Sequence, residues 1–214
     1  MKILHHGAVN GVTGSCHELK LSDKFGVLID CGLFQGAETS GKGADHNSLE
    51  IDFPIEHINA LIVTHVHIDH VGRIPYLLAA GFDGPIICSE PTAALLPLVL
   101  EDALKVGFTR NRQLINRFID QIQQQIIPLL YGEHYSVSPD LDVKLKPAGH
   151  ILGSAYVECK VSIADSTKTV IFSGDLGAPY SPLLAAPKAP YGCDVLVIES
   201  TYGDKEHASR KIRR

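Results

Sequence analysis

Residues 60–75, ALIVTHVHIDHVGRIP, decide the fold that we expect for this chain. The first four residues are apolar, which predicts a buried strand. The run 71–80, VGRIPYLLAA, has apolar residues at helical spacing and predicts a helix soon after the strand. Alternating strands and helices build α/β proteins, which place their sites at the carboxyl ends of the strands. The polar residues between these two elements are therefore candidates for a functional site.

Three histidines and an aspartate lie between the predicted strand and helix. Neutral imidazole and carboxylate are natural ligands for zinc and related divalent ions. Side chains alternate along an extended segment, so His65 and His67 point the same way and can bind one ion. Asp69 and His70 lie past the expected turn and would face a second ion nearby. One short loop thus predicts ligands for two metal ions.

Three further polar residues follow apolar strands elsewhere in the chain. His150 lies in PAGHILGS and Asp175 in IFSGDLG, both glycine-flanked loops, and both are candidate ligands for the same site. Taken singly, His150 has a plain alternative as a hydrogen-bonded loop residue, and Asp175 as a turn or cap residue. Asp30, in VLIDCGLFQG, would either orient a metal-bound histidine from outside the ligand set or hold a turn.

Short apolar runs bounded by glycine, proline or aspartate recur along the chain and predict strands. These runs cover residues 2–4, 26–30, 60–63, 85–88, 143–146, 155–161, 169–172 and 194–200. Helical spacing and composition predict helices over residues 71–80, 91–106 and 110–126. The mixture predicts an α/β fold with mixed sheets.

The composition narrows the class of protein. A chain of 214 residues with 45% apolar and 20% charged residues is ordinary for a globular domain. The net charge of −5 is not that of a free-standing nucleic-acid binder, although bound divalent metals would offset carboxylates in a nuclease. We expect no secretory signal and no membrane span, since no apolar run approaches ~18 residues. Five scattered cysteines without a CxxC pair indicate buried thiols in a reducing cytoplasm.

The candidate residues together resemble the metallo-β-lactamase superfamily. The pattern comprises an aspartate after the second strand (Asp30), HxHxDH at 65–70, a later histidine and a later aspartate. The resemblance runs to about Gly203 and implies an α/β fold of the αββα four-layer sandwich type, with the site along one edge of the sheets. It also implies two divalent metal ions, expected to be zinc, with manganese or iron as alternatives. The first ion would be held by His65, His67 and His150, and the second by Asp69 and His70, with Asp175 bridging both.

Finer motifs, TGSCHELK, DCGLFQG, GHILGSA and ESTYGDKEH, resemble the β-CASP branch, whose members cut RNA or DNA. In that branch an acidic residue at the position of Glu199 pairs with a catalytic histidine. We therefore expect Glu199 and Asp69 to be catalytic, Asp69 by accepting a proton.

The same branch carries a second domain, inserted soon after the ESTYG motif. Residues 1–203 would then be the N-terminal part of the lactamase-like domain, incomplete at its C-terminal end. Residues 204–214 would begin a linker toward a β-CASP domain that this chain lacks, and RNA or single-stranded DNA would bind through that domain. His207 lacks the glycine-rich context of a metal ligand and receives no role. A strand edge left unpaired would favour self-association.

The main hypothesis is a metal-dependent hydrolase that cuts phosphodiester bonds of RNA at a dinuclear site, as an exonuclease or an endonuclease. A first alternative is a small-molecule metallo-hydrolase of the same fold, acting on a thioester or lactone. A second alternative is a non-catalytic or inactive truncated scaffold, against which the intact HxHxDH motif argues.

Overall fold

The computed structural model describes residues 1–35, 50–107, 109–164 and 166–206. Within these ranges the chain forms two β-sheets, and helices cover one side of the first sheet.

The first sheet has six strands that lie in their order along the chain. They are β1 (Lys2–His5), β2 (His17–Ser22), β3 (Phe25–Ile29), β4 (Ile58–Ile62), β5 (Ile86–Ser89) and β6 (Ile126–Leu129). The first three strands pair antiparallel, whereas β3 to β6 pair parallel. Because parallel strands end at the same edge of a sheet, the residues that follow β3 and β4 come to lie side by side.

The second sheet has five strands in the order β11–β10–β9–β8–β7. They are β7 (His134–Ser138), β8 (Leu141–Pro147), β9 (Ala155–Ile163), β10 (Ser166–Phe172) and β11 (Val195–Val197). Strands β7 to β10 pair antiparallel, and β11 joins β10 in parallel.

The helices are α1 (Ile68–Val71), α2 (Ile74–Ala79), α3 (Glu90–Gly107) and α4 (Arg112–Gln125). Their buried apolar side chains pack with Leu61 of β4 in one core, while the neighbouring Ile62 belongs to a second core between the two sheets. This alternation is what a strand buried on both faces requires. In the described ranges no helix covers the outer face of the second sheet, so three of the four expected layers are seen.

The predicted α/β class is confirmed, and each predicted strand has a counterpart, with shifts at the ends. Three strands escaped prediction. β2 and β7 are rich in polar residues, and β6 follows α4 with no glycine or proline between them. The predicted helix over 71–80 is instead two short helices that break at Gly72 and Arg73.

None of the helices in the described part of the chain is long and apolar enough to cross a membrane. His207 and most of the predicted linker over 204–214 lie outside the described residues.

Candidate metal centre

Strand ends and one loop deliver ligand-type side chains to a single edge of the sandwich. His65 lies just beyond β4, His150 lies in the loop between β8 and β9, and Asp175 lies beyond β10. The two sheets are joined here, since the backbone N–H of Ala155 donates to the carbonyl of Thr64 at 2.8 Å. This bond therefore links the segment that carries His65, on the first sheet, to the strand that follows the His150 loop, on the second sheet.

Four side chains converge at this edge: His65, His67, His150 and Asp175. One ligand atom from each lies within 4.8 Å of the others. Nδ1 of His67 lies 3.1 Å from Nε2 of His65 and 3.1 Å from Nε2 of His150. One carboxylate oxygen of Asp175 lies 3.7 Å and 3.3 Å from these two Nε2 atoms.

These separations fit one metal ion. Ligands about 2.0–2.1 Å from a tetrahedral zinc lie about 3.3 Å from one another. Within the described residues, this is the one group of histidine, cysteine, aspartate and glutamate side chains that converges in this way.

The charge state of the cluster suits metal binding, which requires neutral imidazole and ionised carboxylate. Burial, reinforced by the charge of His70, lowers the pKa of His65 to about 2. Burial and the neighbouring His150 also lower the pKa of His67. Burial opposes ionisation of Asp175, but the hydrogen bond and charge of His70 outweigh it and lower its pKa to about 2.

His70 and Asp69 lie beside this group rather than in it. Nε2 of His70 lies 3.1 Å from one oxygen of Asp175 and 3.9 Å from an oxygen of Asp69. Burial by itself lowers the pKa of His70, but the carboxylates of Asp30 and Asp175 outweigh it and raise the pKa to about 10 in the absence of a metal ion. A metal ion that bound at His70 would have to displace the proton from Nε2. Asp175 thus lies between the three histidines of the four-residue group and the pair formed by Asp69 and His70.

Asp30 and Thr64 form a buried support behind the histidines. Asp30 accepts hydrogen bonds from the backbone N–H of Thr64, from the Thr64 hydroxyl and from Nδ1 of His70, at 2.8, 2.8 and 2.7 Å. Because its hydroxyl donates to Asp30, Thr64 accepts at its oxygen from Nδ1 of His65, 3.0 Å away. These bonds place the Nδ1 protons of both histidines away from the site and turn Nε2 toward it.

The orienting role is one of the two roles predicted for Asp30, whereas Thr64 is not among the predicted residues. The signal that could have found it is its position, a hydroxyl residue at a strand end directly before the first histidine of the motif.

Glu199 lies near the centre without joining it. Its carboxylate accepts a hydrogen bond from the backbone N–H of Leu176 at 2.8 Å, and its own N–H donates to the Ser173 hydroxyl at 2.9 Å. It lines a cavity of about 330 Å³ together with His70 and Asp175. Glu199 therefore steadies the loop that carries Asp175 and faces the same open space.

A second cluster of histidine and carboxylate lies outside the centre. Glu18 is 2% exposed, and its two oxygens accept hydrogen bonds from Nε2 of His57 at 2.7 Å and Nε2 of His6 at 2.9 Å. The ring of His6 stacks on Phe53 with centroids 3.7 Å apart. Burial opposes ionisation of Glu18, but the two hydrogen bonds outweigh it and lower its pKa below the ordinary value.

Comparison with known proteins shows relatives along nearly the whole chain. Ribonuclease TTHA0252 of Thermus thermophilus is 36% identical over 97% of this chain and 45% of its own length. Transcription termination factor FttA of Cenarchaeum symbiosum is 36% identical over 94% of this chain and 31% of its own length. The chain thus spans less than half of these curated relatives.

A crystal structure of a protein of unknown function from Enterococcus faecalis V583 has a TM-score of 0.57 at 15% identity, over 81% of this chain and 43% of that one. It supports the fold alone. The resemblance to the β-CASP branch is confirmed by the relatives. The family model described as "Metallo-beta-lactamase superfamily" matches residues 9–203, and this chain belongs to that superfamily.

Proposed function

We propose that this chain is the metal-bearing part of a hydrolase that cuts phosphodiester bonds in RNA. The observation that carries the proposal is the convergence of three imidazole nitrogens and one carboxylate oxygen within 4.8 Å. Relatives named as ribonucleases support RNA as the substrate class. Small-molecule hydrolysis by the same fold is the alternative that the experiment below separates.

Two metal ions are assigned to the centre. His65, His67 and His150 hold the first ion, and Asp69 and His70 hold the second. Asp175 serves both, which its position between the two groups supports. Imidazole and carboxylate ligands favour zinc, with manganese or iron as the alternatives. The second ion binds more weakly, because it has fewer ligands within this chain.

When bound, a metal pair supplies electrophilic stabilisation of the phosphodiester and a nucleophile at neutral pH. The protein's own side chains accept the proton and position the reacting groups. Asp69, whose side chain is partly open to solvent, accepts a proton at its carboxylate. Glu199 holds the Asp175 loop with one oxygen and uses the other to orient a proton-donating histidine from a further segment of the protein. Asp30 keeps His70 turned toward the centre.

The substrate reaches the centre from the cavity that His70, Asp175 and Glu199 line. Most of the contacts with RNA, or with single-stranded DNA, are made by a domain beyond residues 1–203, to which residues 204–214 lead. The exposed Leu196 on β11, at the end of the second sheet, supports self-association there. Unpaired cysteines, four of them buried, support a cytoplasmic location.

The test combines metal analysis with two kinds of substrate. Protein purified without chelator is expected to contain zinc by atomic emission, to lose it to EDTA, and to regain it on addition of zinc. Cleavage of end-labelled RNA by the full-length protein should follow metal content, and the control variant His134→Ala, which alters an exposed histidine on β7, should cleave RNA as the wild type does. Failure to take up zinc or manganese would overturn the proposal. Hydrolysis of a thioester or lactone without RNA cleavage would support the small-molecule alternative.

A further inference from the structure

The loop that carries His150 is tied together by one serine. The hydroxyl of Ser154 accepts hydrogen bonds from the backbone N–H groups of His150 and Ile151, at 2.9 and 3.2 Å. The carbonyl of Ser154 accepts from the N–H of Ala148 at 3.0 Å, which closes the loop at its base. The backbone of His150 therefore moves with the segment that contains Gly153 and Ser154.

That segment is fixed from outside by two hydroxyl groups at the junction of β5 and α3. The carbonyl of Gly153 accepts hydrogen bonds from Ser89 Oγ at 2.6 Å and Thr92 Oγ1 at 3.0 Å. Ser89 is 1% exposed and Thr92 is fully buried. Water cannot replace either hydroxyl easily, so loss of one leaves a buried polar group without its partner.

The loop lies so close to α3 that no side chain fits at Gly153. Gly153 has a φ of +87°, and a Cβ there would lie 2.6 Å from Thr92 Oγ1. The phenol of Tyr131 adds a third contact, donating to the carbonyl of Ser154 at 3.0 Å. The loop thus rests on groups that lie outside the cluster of ligand atoms.

The placement of His150 depends on this support, because its Nε2 must lie close to Nδ1 of His67, 3.1 Å away. Metal–ligand distances in protein sites are expected to lie within about 0.2 Å of their standard values. We propose that Ser89 and Thr92 are positioning residues for His150, acting through the carbonyl of Gly153. The inference rests on the proposed function in one respect, that His150 binds a metal.

The sharpest test exchanges Thr92 for two residues of similar size. Thr92→Val removes the hydroxyl and is expected to weaken zinc binding about tenfold to hundredfold. Thr92→Ser keeps the hydroxyl and should restore binding close to that of the wild type. Zinc affinity would be measured by competition with a chromogenic chelator, and the visible spectrum of the cobalt-loaded protein would report any change in ligand geometry. Ser89→Ala repeats the test by removing the other hydroxyl that donates to the Gly153 carbonyl, and it also removes the acceptor for the backbone N–H of Thr92.

A double-variant cycle separates positioning from a merely structural role. If Thr92 acts through His150, then Thr92→Val combined with His150→Ala should bind zinc no more weakly than His150→Ala alone. Additive losses would overturn the inference, as would wild-type affinity and spectrum in both Thr92→Val and Ser89→Ala. A wild-type protein that takes up no zinc would instead overturn the metal centre itself, and this inference with it.

Discussion

Two regions of the described chain bring histidines together with carboxylates. They differ in how many carboxylate oxygens are available to each imidazole nitrogen. In the Glu18 cluster, His57 and His6 each have their own carboxylate oxygen, at 2.7 and 2.9 Å. In the metal centre, Nδ1 of His67 lies 3.1 Å from Nε2 of both His65 and His150, and a single oxygen of Asp175 lies 3.3 and 3.7 Å from those two Nε2 atoms.

The difference indicates how a candidate metal site can be distinguished from another histidine cluster in this chain. A proton between each nitrogen and its own oxygen completes the Glu18 cluster. Nitrogen and oxygen lone pairs that face one another without enough donor protons remain unsatisfied, and a cation is the partner that such an arrangement suits. The number of histidines alone does not distinguish the two regions, but the ratio of nitrogen atoms to carboxylate oxygens does.

The largest expected effect comes from removing one histidine of the metal centre. His67→Ala should lower zinc affinity by more than about 100-fold, because a direct ligand is lost rather than a supporting residue. The matched variant His57→Ala should bind zinc as the wild type does but unfold more easily. Isothermal titration with zinc and urea denaturation in EDTA would measure both. Equal loss of zinc affinity in the two variants would contradict the distinction between the regions.

A smaller effect is expected from the buried support of the centre. Asp30 has a φ of +62°, a conformation that asparagine also tolerates, so Asp30→Asn changes the charge with little backbone strain. The variant loses the acceptor for Nδ1 of His70 or for Thr64, and zinc affinity should fall about tenfold to hundredfold. Chelator competition would measure it, and unchanged affinity would return Asp30 to the alternative reading, a residue that only holds a turn.

The sequence predicted the centre better than its surroundings. His65, Asp175 and Asp30 all follow apolar strands, and strand ends meet at one edge, so their proximity could be expected from local patterns. Ser89 could not be found in this way, because its hydroxyl becomes a support only when the distant carbonyl of Gly153 meets it. The ligand roles themselves stay predictions.

The Glu18 cluster shows the same limit. Its three members come from different parts of the first sheet and its connections, and His57 lies 39 residues from Glu18. No periodicity joins them. Of the paired histidines near the N-terminus, His6 is partly buried and bonded to Glu18, and His5 is exposed and contacts His17. Only the folded arrangement of β1, β2 and the segment before β4 reveals these partners.

A moderate loss of stability is expected when the Glu18 carboxylate is neutralised. Glu18→Gln replaces one acceptor with a donor, so one imidazole loses its partner in a buried setting, which costs about 1–3 kcal/mol of unfolding free energy. Zinc affinity should not change. Glu56→Gln is the matched control, since Glu56 lines a surface cavity together with Glu18 and His57 but is exposed. Urea denaturation in EDTA would measure the difference, and a variant as stable as the control would contradict it.

The smallest expected effect is the dependence on pH of the difference in unfolding free energy between the wild type and Glu18→Gln. The pKa of Glu18 is lower in the folded protein than in the unfolded chain, where it is about 4.3, so ionised Glu18 favours folding. This contribution is fully present above the unfolded pKa and is lost as the pH falls through the folded pKa. The gap in unfolding free energy between the wild type and Glu18→Gln should therefore shrink as the pH falls below about 4.3. Measuring both proteins in EDTA keeps the metal centre from contributing to the gap. A gap that stays constant or widens below the unfolded pKa would mean that the two histidines do not stabilise the carboxylate, and that the Glu18 cluster is not the self-sufficient counterpart of the metal centre.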